Sequence, residues 1–255
     1  MFRLLAFITV IFTVSINAEA YVLREAPAGD WVRWYESEIE IILDPSLREI
    51  SPMARVEYAV VEGFRLWRAQ STLPVRFKFR RATCDASGDD RQNCVMTCSK
   101  FGNCKRFGRS KGATTQLRYS RRGQILGADI VLNTRDWQWK LKRDGQEGLD
   151  LRFVIAHETG HFLGIRHSRE PSALMFATMQ VKDSRPLQLA RDDRAAVRAL
   201  YGAVSQSRSG RLFGGVWQRE HHPIVEKGLL IIYMFLSLVS MVLFRREATQ
   251  FPAGA

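Results

Sequence analysis

The segment His157–His167, HETGHFLGIRH, constrains this chain more than any other stretch. On an α-helix His157 and His161 are four residues apart, so both imidazoles leave one face. They can then meet a single zinc ion at about 2.0–2.1 Å per nitrogen. Glu158 sits one step round the helix, where a base for a metal-activated water belongs. Gly164 lets the backbone leave the helix through dihedrals that other residues avoid. His167, ten residues after His157, can thus return to the same ion as third ligand. Three protein ligands leave a fourth position open, as in a catalytic rather than a structural zinc site. The chain has five histidines, and the two outside this segment, His221 and His222, lie in a polar stretch near the C-terminus.

Two apolar runs flank the rest. Arg3 precedes an uncharged stretch from Leu4 to Ile16, and Ala18-Glu19-Ala20 has small residues where a signal peptidase reads. Residues 1–20 are expected to be a signal peptide cut after Ala20. Gly228–Phe244 holds 17 residues without charge, about 25 Å as a helix and at the short end for a membrane span. Arg245 and Arg246 follow it, which retains the tail 245–255 on the cytoplasmic side and puts the bulk of the chain outside. A cleaved C-terminal sorting tag would read similarly. Residues 203–227 lose periodicity and are rich in Ser and Gly, as a flexible tether is. The layout is signal peptide, one domain over residues 21–202, tether, transmembrane helix over residues 228–244, and tail.

The four cysteines, Cys84, Cys94, Cys98 and Cys104, follow the spacing C-x9-C-x3-C-x5-C. In an exported protein two disulfides are the natural reading, with three pairings open. A four-thiolate zinc site competes, although the usual C-x2-C knuckles are missing. Net charge is +12, and Arg91 to Arg122 carries nine Lys/Arg and no acid. That stretch is either a solvated basic loop region or a contact for an anionic surface.

Between the ends, EIEIIL (Glu38–Leu43), PVRFKFR (Pro74–Arg80), TTQLRY (Thr114–Tyr119) and QILGADIVLN (Gln124–Asn133) read as strands. Ser51-Pro52 predicts a helix from Pro52 to Ala69 with Ser51 as N-cap, burying Val56, Val60, Phe64 and Trp67. Asp150 should cap a helix from Leu151 to Gly164. Asp192 and Asp193 suit the first turn of a last helix that Gly202 would stop. The fold class is α+β.

These residues resemble the metzincins, whose signature HExxHxxGxxH is matched by HETGHFLGIRH. Ser168 after the third histidine makes the resemblance matrixin-like. So do Ala173-Leu174-Met175, similar to a Met-turn, and Asp192-Asp193 with Leu200-Tyr201-Gly202, similar to a closing helix. The resemblance implies a twisted, mostly parallel mixed sheet with long helices behind it and a cleft above one catalytic zinc ion. Substrate would lie extended along Ala128–Asn133, similar to the family's edge strand. Water activated by the metal would attack a peptide carbonyl, with Glu158 as general base. The implied function is endopeptidase cleavage of extracytoplasmic proteins. An inactive zinc-holding domain that binds through its basic segment is the alternative, and the presence of Glu158 counts against it. His167 likewise counts against a gluzincin arrangement with a glutamate as third ligand. The chain departs from the family after Met175, where Phe176-Ala177-Thr178-Met179 replaces the usual Tyr-Pro, so specificity does not carry over. No propeptide cysteine or second, histidine-rich zinc site is evident, and no residue pattern decides whether Ca2+ binds. A compact domain without accessory modules points to a bacterial source.

Overall fold

A computed structural model of the chain describes residues 19–207, apart from 71, 86–90, 101–103, 105–110, 142–147 and 179–185. The expected signal peptide up to residue 18, the tether beyond residue 207 and the apolar run 228–244 lie outside the described residues. No helix among the described residues is long and apolar enough to cross a membrane.

Strand β1 (Glu38–Leu43) alternates as its sequence predicts, with Ile39 and Ile41 buried. After a 3-10 turn at Pro45–Glu49 the chain enters α1 (Met53–Arg68). The expected stripe of Val56, Val60, Phe64 and Trp67 is buried. Ser51 is not the N-cap, however. Pro52 takes that place with extended backbone (ψ 132°) and no side-chain hydrogen bond, while its carbonyl accepts from Arg55 N and Val56 N. Strands β2 (Arg76–Arg81), β3 (Cys94–Thr97), β4 (Ala113–Tyr119) and β5 (Ile125–Leu132) complete a five-stranded sheet of order β2-β1-β3-β5-β4. All neighbours are parallel except β4 and β5, which are antiparallel. A short parallel pair, β6 (Trp139–Lys140) and β7 (Leu149–Asp150), leads into α2 (Leu151–Phe162).

The order corrects one expectation. Ala128–Asn133 does not run along an edge: β5 is hydrogen-bonded to β3 on one side and β4 on the other. Seven of the eight β5 residues are buried, as in a strand covered on both faces. The edge on this side of the sheet is β4, half-buried throughout, and β2 is the other.

Helices α1 and α2 pack closely because Gly63 has no side chain: a Cβ there would lie 2.5 Å from the Ile155 side chain and 2.9 Å from Ala156 N. Trp67 donates its indole N–H to Ala156 O (2.6 Å) across the same contact. At the far end of α2, Trp34 Nε1 donates to Phe162 O and Tyr201 Oη to Leu163 O, satisfying carbonyls that a helix end leaves open. Helix α3 (Arg191–Ser207) supplies Tyr201. It continues through Gly202 rather than stopping there; Gly202 is not among the glycines of positive φ, and without that turn nothing ends the helix at it.

The disulfides are Cys84–Cys94 and Cys98–Cys104, which removes the four-thiolate zinc reading. Their sulfurs pack with Ile42, Met96 and Val131 in a small separate cluster. Within the basic stretch Arg118 turns inward and pairs with the buried Asp129 at 3.0 Å, so it adds nothing to an anion-binding surface.

Candidate active site

Helix α2 begins at Asp150, whose carboxylate accepts from Arg152 N (3.0 Å) as expected of the cap. The helix carries His157, Glu158 and His161 on one turn; the first two are buried. It ends at Phe162, and the chain then reverses through Gly164 at φ +97°. A Cβ on Gly164 would lie 1.9 Å from Val32 O, so both the dihedral and the space demand glycine. The reversal brings His167 back: ligand nitrogens of His157, His161 and His167 lie within 4.8 Å of one another, and Nε2 of His161 and His167 are 3.1 Å apart. Donors on a tetrahedral zinc ion are about 3.3 Å apart at the usual bond length.

The second nitrogen of two rings is already spoken for. His157 Nδ1 donates to Leu174 O and His161 Nδ1 to Ile165 O, each at 2.8 Å. This leaves Nε2 of each ring to face an ion, as the outer partners of metal-bound histidines do. Burial is the main reason that both rings resist protonation: their pKa values fall to about 4, with neighbouring positive charge adding to the effect. His167 is lowered too, by burial and then by the charges of Arg166 and Lys111. The three rings are therefore neutral and ready to ligate at pH 7.

Glu158 is shifted the other way. Burial raises its pKa, opposed in part by His157, by a hydrogen bond from Thr115 and by Lys111. Thr115 Oγ1 lies 2.6 Å from Glu158 Oε2 and 3.1 Å from Glu158 O. Strand β4 thus delivers a donor to the carboxylate from the edge of the sheet. The sequence offers no signal for Thr115 beyond its membership of an alternating strand.

Beneath the histidines, residues 173–176 form a tight turn in which Phe176 N donates to Ala173 O. Met175 is buried against Gly160, where a Cβ would lie 2.2 Å from Met175 Sδ and 2.8 Å from the Trp67 ring. Asp193 holds that turn. Its carboxylate accepts from Leu174 N, Met175 N and Ala190 N at 2.8–3.1 Å. The bond to Ala190 is the backward half of a capping box, but Ala190 lacks the hydroxyl of the usual S/T-x-x-E/Q pattern, so the sequence does not signal it. Burial raises the Asp193 pKa against those three bonds. Asp192 accepts from Ser168 Oγ (2.6 Å) and from Ala20 N and Tyr21 N, joining the N-terminal segment to the loop after His167. The acid pair thus fastens the site floor, a role beyond offsetting a helix dipole.

A cleft of about 420 Å³ opens over the histidines, walled by Gly112–Thr115 of β4 and its approach, by Trp137, Leu149 and Val154, and by Ala177. Ala128–Asn133 lines none of it.

A family model described as matrixin matches residues 33–202, two thirds of the chain. Among curated proteins, the chain is 40% identical to matrix metalloproteinase-20 of Homo sapiens over 80 residues, 31% of this chain and 16% of that protein. It is 29% identical to the macrophage metalloelastase of Oryctolagus cuniculus over 152 residues, 59% and 30% of the two chains. It is 31% identical to matrix metalloproteinase-27 of Homo sapiens over 153 residues, 59% and 27%. In these three cases the match spans under a third of the relative's length.

Proposed function

The chain belongs to the matrixin family, and from that membership we propose that it is a zinc-dependent endopeptidase with His157, His161 and His167 as metal ligands and Glu158 as general base. The observation that carries the reading is the convergence of three neutral imidazoles beside a buried carboxylate at the floor of an open cleft. The donor set fits zinc: three nitrogens, each of two already oriented by a backbone carbonyl. Zinc, when bound, lowers the pKa of water and polarises a carbonyl oxygen.

The protein's own groups supply the rest. Glu158, its basicity increased by burial, accepts the proton of the attacking water and passes it to the departing amine. Thr115 steadies that carboxylate in its ionised form. Strand β4 is paired on one side only among the described residues, so its other edge offers backbone N–H and C=O groups to an extended substrate. Extracytoplasmic proteins are the proposed substrates, because two disulfides suit an oxidising compartment. Attachment to a membrane through Gly228–Phe244 is part of the same proposal; carbonate extraction of membranes should leave the protein in the pellet.

Glu158→Ala should retain one zinc per chain, read by metal analysis, and lose casein cleavage by at least about a hundredfold. A variant that cleaves as well as the parent refutes the assignment of the base.

A further inference from the structure

The cleft walls carry more positive charge than the proposed chemistry uses. Arg24, Lys111 and Arg166 line the cleft, and the one acid among its described lining residues is Glu158, already held by Thr115. None of the three cations forms a salt bridge among the described residues. Two donors on cleft-lining residues are buried without a hydrogen-bond partner among the described residues: Arg24 Nε and Trp137 Nε1. Buried donors are almost always satisfied, and an orphan costs stability. Both residues line the cleft, although these two nitrogens are themselves closed off from it, so the rest of each side chain is what a substrate would meet.

The arrangement of the two arginines is built by the backbone. Leu23 and Ile165 form an antiparallel bridge, closed by Arg24 N donating to Gly164 O and Arg166 N donating to Val22 O. Arg24 and Arg166 each follow one member of that pair, so they lie on the same face of the bridge, opposite to Leu23 and Ile165. All three cations line the same cleft as His157, His161 and His167. The cations therefore stand close to where the scissile bond would lie.

We propose that Arg24, together with Arg166 and Lys111, binds a carboxylate of the substrate, so that this enzyme prefers an acidic residue close to the cut bond. The inference rests on the endopeptidase reading and names its substrate class. An incoming carboxylate accepts from the terminal guanidinium nitrogens of Arg24, and its charge is met by the two other cations.

The test uses zinc-loaded protein and quenched-fluorescent peptides capped at both ends, with Glu against Gln scanned through each position near the cut. At one position the Glu peptide should be cleaved with a kcat/KM about tenfold higher, the order expected of one partly solvated charge-assisted hydrogen bond. The ratio should fall as ionic strength rises. It should drop towards one in Arg24→Met, with Lys111→Met, a surface change, giving a smaller drop in the same direction. Arg24→Lys, which keeps charge but loses the planar guanidinium, should fall between Arg24→Met and the parent. An uncapped Gln peptide preferred over its amide would locate the bound carboxylate at the substrate's C-terminus and support the same subsite. Equal cleavage of Glu and Gln peptides at every position with no gain from a free C-terminus, or a ratio unmoved by all three variants, overturns the carboxylate subsite and leaves the peptidase reading standing. No cleavage of any peptide by the zinc-loaded parent overturns both.

Discussion

Thr115→Val isolates the contribution of the sheet edge to the base. Valine keeps the branched shape that suits β4 and removes only the hydroxyl. That hydroxyl lies 2.6 Å from a Glu158 oxygen in a buried setting. A hydrogen bond to a charged group contributes about 1.5–3 kcal/mol net. The lower end applies, because the same hydroxyl also lies 3.1 Å from Glu158 O and has one proton to give. One pH unit corresponds to about 1.36 kcal/mol. Burial already raises the Glu158 pKa, and Thr115 holds it down, so loss of the hydroxyl raises it further. The acid limb of the kcat/KM profile should therefore move up by about one pH unit. Below the limb the variant should be roughly tenfold slower than the parent at equal pH; on the plateau the two should nearly coincide. Thr115→Ser should return the limb to its original place. The assay is a pH series on a capped peptide, with zinc content and circular dichroism checked for each variant. If the limb of a folded, zinc-loaded valine variant stays where the parent's lies, Thr115 does not tune the base.

Other consequences follow from the packing and the buried rings. Gly160→Ala forces a methyl into Met175 and Trp67 and should destabilise the domain by about 2 kcal/mol, a fall of roughly 4–8 °C in melting temperature; an unchanged melting curve would show that the site floor yields freely. Asp193→Ala orphans the buried N–H groups of Leu174 and Met175 and should cost about 3 kcal/mol or more in urea denaturation, whereas a loss below about 1 kcal/mol would mean that water replaces the carboxylate. In metal-free protein the folded-state pKa values of His157 and His161, about 4, lie below the ordinary value of 6.5. The unfolded chain then binds more protons, so stability is fully present above pH 6.5 and is lost as pH falls towards 4, by on the order of 3 kcal/mol for the first ring. A flat denaturation midpoint between pH 7 and pH 4.5 contradicts this.

How much of this was legible beforehand depends on whether the information was local. The metal-binding spacing is a property of one helix and one glycine, so His157, Glu158, His161, Gly164 and His167 stand out with no knowledge of the fold. Helix α1 and the cap at Asp150 are equally local, because periodicity and capping act within a few residues. The edge strand was misplaced since strand order is a long-range property. A buried run such as β5 is hydrophobic wherever it sits, and only pairing with β3 and β4 shows that it is interior. Gly202 misled for the opposite reason: its conformational freedom permits a helix stop without requiring one. The pairing of Cys84 with Cys94 and Cys98 with Cys104 was one of three choices until distance decided it.

What the chain determines by itself is therefore the set of groups on which the proposed chemistry rests: a histidine triad, a carboxylate beside it and a turn that closes the triad. What tertiary structure alone decides is the company these groups keep. Thr115 reaches Glu158 from 43 residues away, Asp193 holds the turn beneath the three imidazoles, and Arg24 stands beside Arg166 over the cleft. Ligand spacing is written in helical geometry, which needs only neighbours in sequence. Donors to a buried carboxylate, and the charges that would choose a substrate, depend on which segments the sheet and the core bring together.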